Sequence, residues 1–138
     1  MTNSSEAVLG LWRALSRRDW DAVAAAVSDD CIYIDMPLGP ALAARGPADI
    51  VKRLKTGLAA LASYENHHGL IVADGEHVMY EHSETWTFDT GESFSCASTS
   101  SGTTTSNGAT STLVRGPTRR PARSAIHDAG LPTASVLR

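Results

Sequence analysis

Cysteine, aromatic residues and long apolar runs are all scarce in this chain of 138 residues. Its two cysteines, Cys31 and Cys96, show none of the close spacing that disulfide frameworks and zinc sites use, so we expect two reduced thiols. No apolar run approaches the roughly 18 residues that span a bilayer. Residues 1–6 lack the basic start and apolar stretch of a secretory signal. The sequence therefore predicts a soluble, cytoplasmic protein without a membrane partner.

Charge is divided unevenly along the chain. Residues 1–95 hold 7 Lys and Arg against 14 Asp and Glu, whereas residues 96–138 hold 5 Arg and the single acidic residue Asp128. Phosphate binding needs a concentrated basic surface, so the acidic part argues against nucleic acid as a partner.

Aromatic residues stop at Phe94, and the composition changes there. Residues 96–138 contain 15 Ser and Thr in 43 positions, with Gly, Pro and Arg between them. Such a composition buries too little apolar surface to offset the entropy of ordering. We therefore expect an incomplete domain over residues 1–95 and a tail over 96–138, either disordered or translated out of frame from a GC-rich gene. The sheet edge left open would favour pairing of two chains into a homodimer.

Three helices are predicted in the first half of the chain. Residues 8–15 repeat apolar side chains at helical spacing, and Asp19 can cap a second helix ending near Val27 before a break at residues 28–30. Pro47 suits the first turn of a third helix. The apolar faces of the three helices comprise Val8, Leu11, Trp12 and Leu15, then Trp20, Val23, Ala24 and Val27, then Ile50, Val51, Leu54, Leu58 and Leu61.

Strands are predicted wherever β-branched and aromatic residues alternate with polar ones. Residues 31–36 form one strand, and a loop at residues 37–40 follows it. Residues 64–73, 77–88 and 92–96 form a meander with turns at Asp74-Gly75 and residues 89–91. Helices first and strands afterwards indicate an α+β domain whose helices pack on one face of the sheet.

The strand over residues 77–88 carries the predicted chemistry. Burying an unpaired charge costs several kcal/mol, so His82 and Glu84 in the middle of its apolar face must pair, face a cavity or become neutral. An imidazole and a carboxyl two residues apart are typical of acid–base sites. A structural buried pair remains the alternative. Strict alternation predicts that the inward face, and with it a substrate-binding wall, contains Val78, Tyr80, Trp86 and Phe88.

A second contribution to the same pocket comes from the strand over residues 31–36. Tyr33 and Asp35 share one of its faces. Because Asp35 stands close to Pro37, it can equally be a residue that caps the following loop.

These segments resemble a known group of proteins. The Tyr33-x-Asp35 strand before Met36-Pro37-Leu38, together with residues 73–84, is similar to the limonene-1,2-epoxide hydrolase branch of the nuclear transport factor 2-like superfamily. That superfamily also contains SnoaL-like polyketide cyclases and ketosteroid isomerases. The resemblance covers about residues 5–95. It implies a cone, in which a curved mixed sheet wraps around three helices and encloses a deep apolar pocket.

The resemblance also implies site residues. In the epoxide hydrolases a Tyr-x-Asn pair holds the attacking water, an Arg-x-Asp pair lies over the epoxide and a later Asp completes the set. By position, Tyr33 matches the tyrosine and Asp35 replaces the asparagine. His82 replaces the arginine and Glu84 the first aspartate. The last Asp has no counterpart after residue 95, so the closing strands of the cone are expected to be missing or replaced.

The leading functional expectation is cofactor-independent acid–base hydrolysis of an epoxide or a similar apolar small molecule. The catalytic residues would be His82, Glu84, Tyr33 and Asp35. Polyketide cyclisation or isomerisation by proton transfer next to a carbonyl is the first alternative, and a non-catalytic ligand-binding or assembly module is the second. We expect no cofactor and no metal, since alternation places His77 and His82 on opposite faces.

Overall fold

Three helices lie on one six-stranded sheet in the computed structural model, which describes residues 3–36, 38–105 and 108–117. Helix α1 spans Asn3–Ser16, α2 spans Trp20–Ala25 and α3 spans Gly46–Leu58. The α1 stripe of Val8, Leu11, Trp12 and Leu15 is 1–4% exposed and forms the centre of the core, as its helical spacing predicts. In the described residues no helix is long and apolar enough to cross a membrane.

Local signals account for the starts of α2 and α3. The carboxylate of Asp19 accepts a hydrogen bond from the backbone N–H of Ala22 over 3.1 Å, which caps α2. Pro47 lies in the first turn of α3, where its missing N–H costs nothing. Gly46 before it has a φ of 74° and its α-carbon faces the carbonyl of Asp29, so this entry into α3 favours glycine.

The sheet contains six strands in the order β2-β1-β6-β5-β4-β3. Neighbouring strands are antiparallel except β1 and β6, which are parallel. A short 3₁₀ helix at Pro40–Leu42 precedes β2. The α+β prediction with three helices is confirmed. The strands are β1 Val27–Asp35, β2 Ala44–Arg45, β3 Leu61–Asp74, β4 His77–Phe88, β5 Ser93–Thr104 and β6 Thr110–Pro117.

Strand β1 begins earlier than predicted. The break expected at residues 28–30 lies within this strand. The pairing of β1 with β6 shifts register between Val27 and Ile32, and Asp29 and Asp30 are exposed at that irregularity. Leu61, expected at the end of α3, belongs to β3 instead. Pro37, in the predicted loop, lies outside the described residues.

The expectation that the closing strands are missing is wrong for residues 96–104 and 110–117. Both segments are strands of the sheet, and β5 pairs with β4 over eleven consecutive positions without a register shift. The rest of the predicted tail, residues 118–138, lies outside the described residues. The out-of-frame origin of the tail stays a prediction that the gene sequence would test.

Side-chain size explains why a Ser- and Thr-rich segment packs here. Cys96, Ser98, Ser100 and Gly102 stand directly opposite Glu84, His82, Tyr80 and Val78, the inward residues of β4. Ser98 is 3% and Ser100 1% exposed, so small side chains on β5 leave the space that the large ones on β4 occupy. Composition alone concealed this alternation.

Candidate active site

Burial along β4 alternates as predicted from the sequence. Val78, Tyr80 and His82 are 2% exposed and Glu84 is 0% exposed, whereas His77 and Met79 on the other face are exposed. Trp86 and Phe88 continue the inward face and are half-buried. The two titratable residues therefore lie in the interior, on the face that the helices cover.

Glu84 and His82 form a close pair. Glu84 Oε1 lies 3.6 Å from His82 Nδ1, with both side chains completely inaccessible to solvent. That separation is too long for a hydrogen bond, but it places a carboxylate where an imidazolium would be stabilised. The second oxygen, Oε2, accepts a hydrogen bond from the indole N–H of Trp86 over 2.8 Å. Glu84 thereby links the buried histidine to a side chain at the cavity.

His82 is held by hydrogen bonds on both ring nitrogens. Nδ1 lies 2.9 Å from the amide nitrogen of Asn66, and Nε2 lies 3.2 Å from the hydroxyl of Ser100. The imidazole also stacks on Tyr80 and contacts Trp12, with ring centroids 4.7 Å away in each case. A ring restrained on every side keeps one orientation, which is the property that an acid–base pair requires.

The neighbours of His82 define its tautomer. The Tyr80 hydroxyl donates to Asn66 Oδ1 over 3.0 Å, so the amide nitrogen of Asn66 turns toward His82 and donates to Nδ1. Neutral His82 then carries its proton on Nε2, facing Ser100. Protonation of Nδ1 would require the Asn66 amide to turn over, so the charge on His82 and the orientation of Asn66 are coupled.

Tyr80 has a perturbed hydroxyl in this network. Burial raises the pKa of Tyr80 above its ordinary value, the Arg13 guanidinium lowers it, and the Glu84 carboxylate raises it further. The hydroxyl also lies 3.3 Å from Nδ1 of His68. Tyr80 therefore stays a neutral phenol that can donate to Asn66.

A cavity of about 280 Å³ opens between the helices and the sheet. It holds one carboxylate, Asp35, and one guanidinium, Arg53, among mostly apolar and aromatic side chains. A volume of this order suits a small organic molecule. We call it the main cavity, and its lining comprises Trp12, Leu15, Tyr33, Asp35, Leu38, Arg53, Leu54, Thr56, Gly57, Leu58, Tyr64 and Trp86.

The predicted site residues fall into two groups. Tyr33, Asp35 and Trp86 line the main cavity. His82 and Glu84 lie behind its wall, because both are inaccessible and Trp86 separates Glu84 from the cavity. The predicted substrate-binding residues Val78, Tyr80 and Phe88 are core residues or pack against the core and do not belong to this lining.

Three contributors to the site were not found from the sequence. The side chain of Arg53 on α3 reaches the cavity and donates from Nη2 to the carbonyl of Leu42 over 2.6 Å. Asn66 and Ser100, which hold His82, lie on neighbouring strands. Alternation along β3 and β5 would have placed them on the inward face once the register with β4 was known.

No group of three His, Cys, Asp or Glu side chains that could hold a metal ion occurs among the residues the structure describes. The polar groups at the main cavity are instead a carboxylate, a guanidinium and phenols. Such a set suits proton transfer and hydrogen bonding to an organic ligand.

The chain belongs to the SnoaL-like domain family, whose model matches residues 8–119. The match extends past residue 95, the limit predicted from the resemblance, because β5 and β6 are part of the domain. A search of curated protein sequences finds no match.

Solved structures show the same nuclear transport factor 2-like fold. An epoxide hydrolase of the limonene epoxide hydrolase-like type from Mycobacterium tuberculosis is 20% identical, with a TM-score of 0.72 over 84% of this chain and 83% of that chain. A Δ5-3-ketosteroid isomerase from Mycobacterium sp. is 16% identical, with a TM-score of 0.71 over 83% of this chain and 92% of that chain. An NTF2-like protein from Burkholderia pseudomallei is 18% identical, with a TM-score of 0.74 over 86% of this chain and 92% of that chain. Identities this low establish the fold alone.

Proposed function

We propose that the protein binds an apolar cyclic small molecule in the main cavity and catalyses proton transfer next to a carbonyl, as in an isomerase or cyclase. The observation that carries this proposal is that the main cavity presents a single carboxylate, Asp35, within a mostly apolar lining. Removing a proton from carbon requires one positioned base, whereas epoxide opening requires an acid and a base together. Asp35 would accept the proton, leaving an enolate on the substrate and returning the proton to another carbon.

The phenols of the cavity fit the second requirement of this chemistry. An enolate oxygen is stabilised by O–H or N–H donors placed in a site with little water. Tyr33 lies on the same strand face as Asp35, and Tyr64 lines the opposite part of the sheet. Both side chains are almost entirely buried, at 1% and 6% exposure. In this proposal either phenol would donate to the substrate carbonyl oxygen.

His82 and Glu84 would act as positioning residues through Trp86. Neither side chain is accessible, but Glu84 accepts the hydrogen bond of the Trp86 indole, which forms part of the cavity wall. A fixed aromatic wall would keep the substrate carbon close to Asp35. Glu84→Gln replaces the charged acceptor of the indole hydrogen bond with a weaker neutral one, so Trp86 is held less firmly and we expect KM to rise by a larger factor than kcat falls.

Epoxide hydrolysis is the second candidate, because Tyr33 and Asp35 both line the main cavity. These are the positions that the resemblance to limonene-1,2-epoxide hydrolases assigns to the pair that holds the attacking water. The reaction needs a second carboxylate at the substrate. Glu84 would supply it only by breaking its hydrogen bond to Trp86, which gives this candidate less support.

The test uses two substrates, a β,γ-unsaturated cyclic ketone and an apolar cyclic epoxide. Conjugation of the ketone is followed by ultraviolet absorbance and formation of diol by gas chromatography. Asp35→Asn should lower ketone isomerisation by about 100-fold or more, the usual contribution of a general base. Asp30→Asn is the matched control, because Asp30 is an exposed carboxylate on the same strand.

Each outcome of that test selects one reading. Diol formation that depends on both Asp35 and Glu84 would replace the isomerase proposal with epoxide hydrolysis. Background rates with both substrates in wild type and variants alike would overturn the enzymatic proposals. Ligand binding that survives Asp35→Asn in that case would support a non-catalytic binding module. Association into a homodimer stays a prediction that light scattering can measure.

A further inference from the structure

A second opening lies along α1 and shares Trp12 with the main cavity. It has a volume of about 340 Å³ and runs between α1 and the adjoining strands β3 and β4. Helix α1 contributes Leu9, Trp12, Arg13 and Ser16 to its walls, and Arg17 follows directly after the helix. The strands contribute Asn66, His68 and Tyr80. We call this opening the α1 groove.

The α1 groove is rich in hydrogen-bond donors, and the described residues that line it include no carboxylate. Arg17 follows directly after α1, and its backbone N–H donates to the carbonyl of Arg13 over 3.3 Å, which continues the helical spacing and leaves both side chains at the α1 groove. Between them, the hydroxyl of Ser16 is buried without a hydrogen-bond partner among the described residues. This arrangement is unusual in a domain whose first 95 residues carry twice as many acidic as basic side chains.

The two guanidinium groups are available to a ligand. Arg13 contacts Glu6 at 3.6 Å, but both side chains are about half exposed and such a surface pair is weak. In the part of the chain that the structure describes, no hydrogen bond or ion pair of the Arg17 side chain occurs. A ligand anion could therefore bind both residues without breaking a buried interaction.

We propose that the α1 groove is a second binding site, which takes a small molecule bearing a carboxylate or phosphate group. The anion would lie between Arg13 and Arg17, with the Ser16 hydroxyl as a further donor. Charge-assisted hydrogen bonds from guanidinium groups are the strongest that such a surface site offers. The aromatic ring of Tyr80 and the side chain of Leu9 give the rest of the molecule an apolar contact.

This second site would be connected to the buried acid–base pair. Tyr80 and Asn66 line the α1 groove, and Asn66 donates to Nδ1 of His82. A ligand that draws the Tyr80 hydroxyl or the Asn66 amide toward itself would alter the hydrogen bond on which the His82 tautomer depends. The ring nitrogens of His82 consequently report on occupancy of the α1 groove, whether or not the main cavity is active.

The experiment titrates the full chain with phenyl phosphate and with benzoate at constant ionic strength, followed by nuclear magnetic resonance of backbone and side-chain nitrogen. Benzyl alcohol is the neutral comparison ligand. We expect saturating shifts at Arg17, the Asn66 amide and His82 with the anions, and none with the alcohol. Benzoate and phenyl phosphate distinguish the two anionic classes by their relative affinity.

The double variant Arg13→Gln and Arg17→Gln should weaken anion binding by about tenfold or more, as loss of charge-assisted hydrogen bonds predicts. The control double variant, Arg45→Gln and Lys52→Gln, removes the same charge from exposed positions outside the α1 groove and should change affinity less than twofold. Equal weakening in both variants, shifts that never saturate, or equal binding of benzyl alcohol would overturn the proposal. Ketone turnover in the main cavity is a separate measurement, so failure of one proposal leaves the other standing.

Discussion

Strand β4 lies between two unlike neighbours. On one side β3 is an edge strand whose pairing with β4 changes register at two places, and its Asn66 and His68 enter a polar network. On the other side β5 pairs without interruption and presents small side chains to the large ones of β4. One neighbour therefore positions the β4 side chains by hydrogen bonds, while the other accommodates them by its shape.

This difference shows that a strand can contribute to a core through the small size of its side chains. The inward residues of β5 bury little apolar surface of their own, yet they leave room for Tyr80, His82 and Glu84 in the interior. A composition rich in Ser and Thr then indicates a complementary surface instead of disorder. The predictions that follow test whether β5 is packed in this way.

The largest effect is expected at Ser100, which is 1% exposed opposite Tyr80 and contacts Nε2 of His82 at 3.2 Å. Ser100→Leu should lower the free energy of unfolding by about 3 to 4 kcal/mol, because it overpacks the interior and removes a partner of a buried ring. Urea denaturation measures the change. Ser101→Leu on the exposed face is the matched control and should cost less than about 0.5 kcal/mol. Equal, small effects at both positions would mean that the small side chains of β5 are not fitted to the large side chains of β4.

The second effect concerns Cys31, a fully buried thiol on β1 that lines a small cavity with Leu15 of α1 and Ile50 of α3. Burial, followed by the charge of Asp30, raises the pKa of Cys31 from its ordinary 9.0 to about 11. The unfolded thiol loses its proton first, so stability present below pH 9 should decline as pH rises through 11, by about 2 to 3 kcal/mol. The raised pKa of Tyr80 acts in the same direction.

Thermal unfolding between pH 8 and about pH 11 measures this decline, and Cys31→Val should remove the thiol's share of it. Cys96→Val is the control, because Cys96 is half-buried on β5. Ellman's reagent should also label Cys96 well before Cys31, since the Cys31 thiol reacts only after unfolding. Rapid labelling of both thiols would show that Cys31 is not buried between β1 and the helices.

On the β3 side the sensitive position is Gly69, which lies between His68 and Ile71, where the pairing with β4 shifts register. A β-carbon at Gly69 would collide with the backbone carbonyl of Glu81. Gly69→Ala should therefore lower the free energy of unfolding by about 2 kcal/mol. Gly10→Ala in α1 meets no atom within 4 Å and should raise stability by up to about 1 kcal/mol. A neutral Gly69→Ala would show that the irregular pairing of β3 can readjust.

The smallest effect is expected on the outer face between β4 and β5. Ser93 and Thr87 pair there through their hydroxyls at 3.0 Å, and both ends of the bond are exposed to water. Ser93→Ala should cost less than about 0.5 kcal/mol in urea denaturation, because water replaces the lost partner. A loss above about 1 kcal/mol would show that outer-face hydroxyl pairs, and not the inward fit, stabilise β5.

Much of the fold follows from periodicity. Helical spacing places Val8 and Trp12 in the core, and strict alternation along β4 places His82 and Glu84 inside. The sequence does not show how far His82 and Glu84 lie from a cavity, because alternation along a strand assigns a residue only to a face of the sheet. Arg53 was not found because its long side chain carries its charge away from the position of its backbone. The part of β5 after residue 96 was missed because burial by complementary size has no apolar signature.

The parallel pairing of β1 with β6 has a consequence for how the chain reaches this state. Apart from its short pairing with β2, strand β1 acquires a sheet neighbour only when residues 110–117 are present, so this contact closes a long loop of the chain. Pairings of such long sequence separation are slow to form. During synthesis β1 therefore lacks this neighbour until residues 110–117 have emerged. We expect chaperones to bind the intermediate in which β1 is not yet paired with β6.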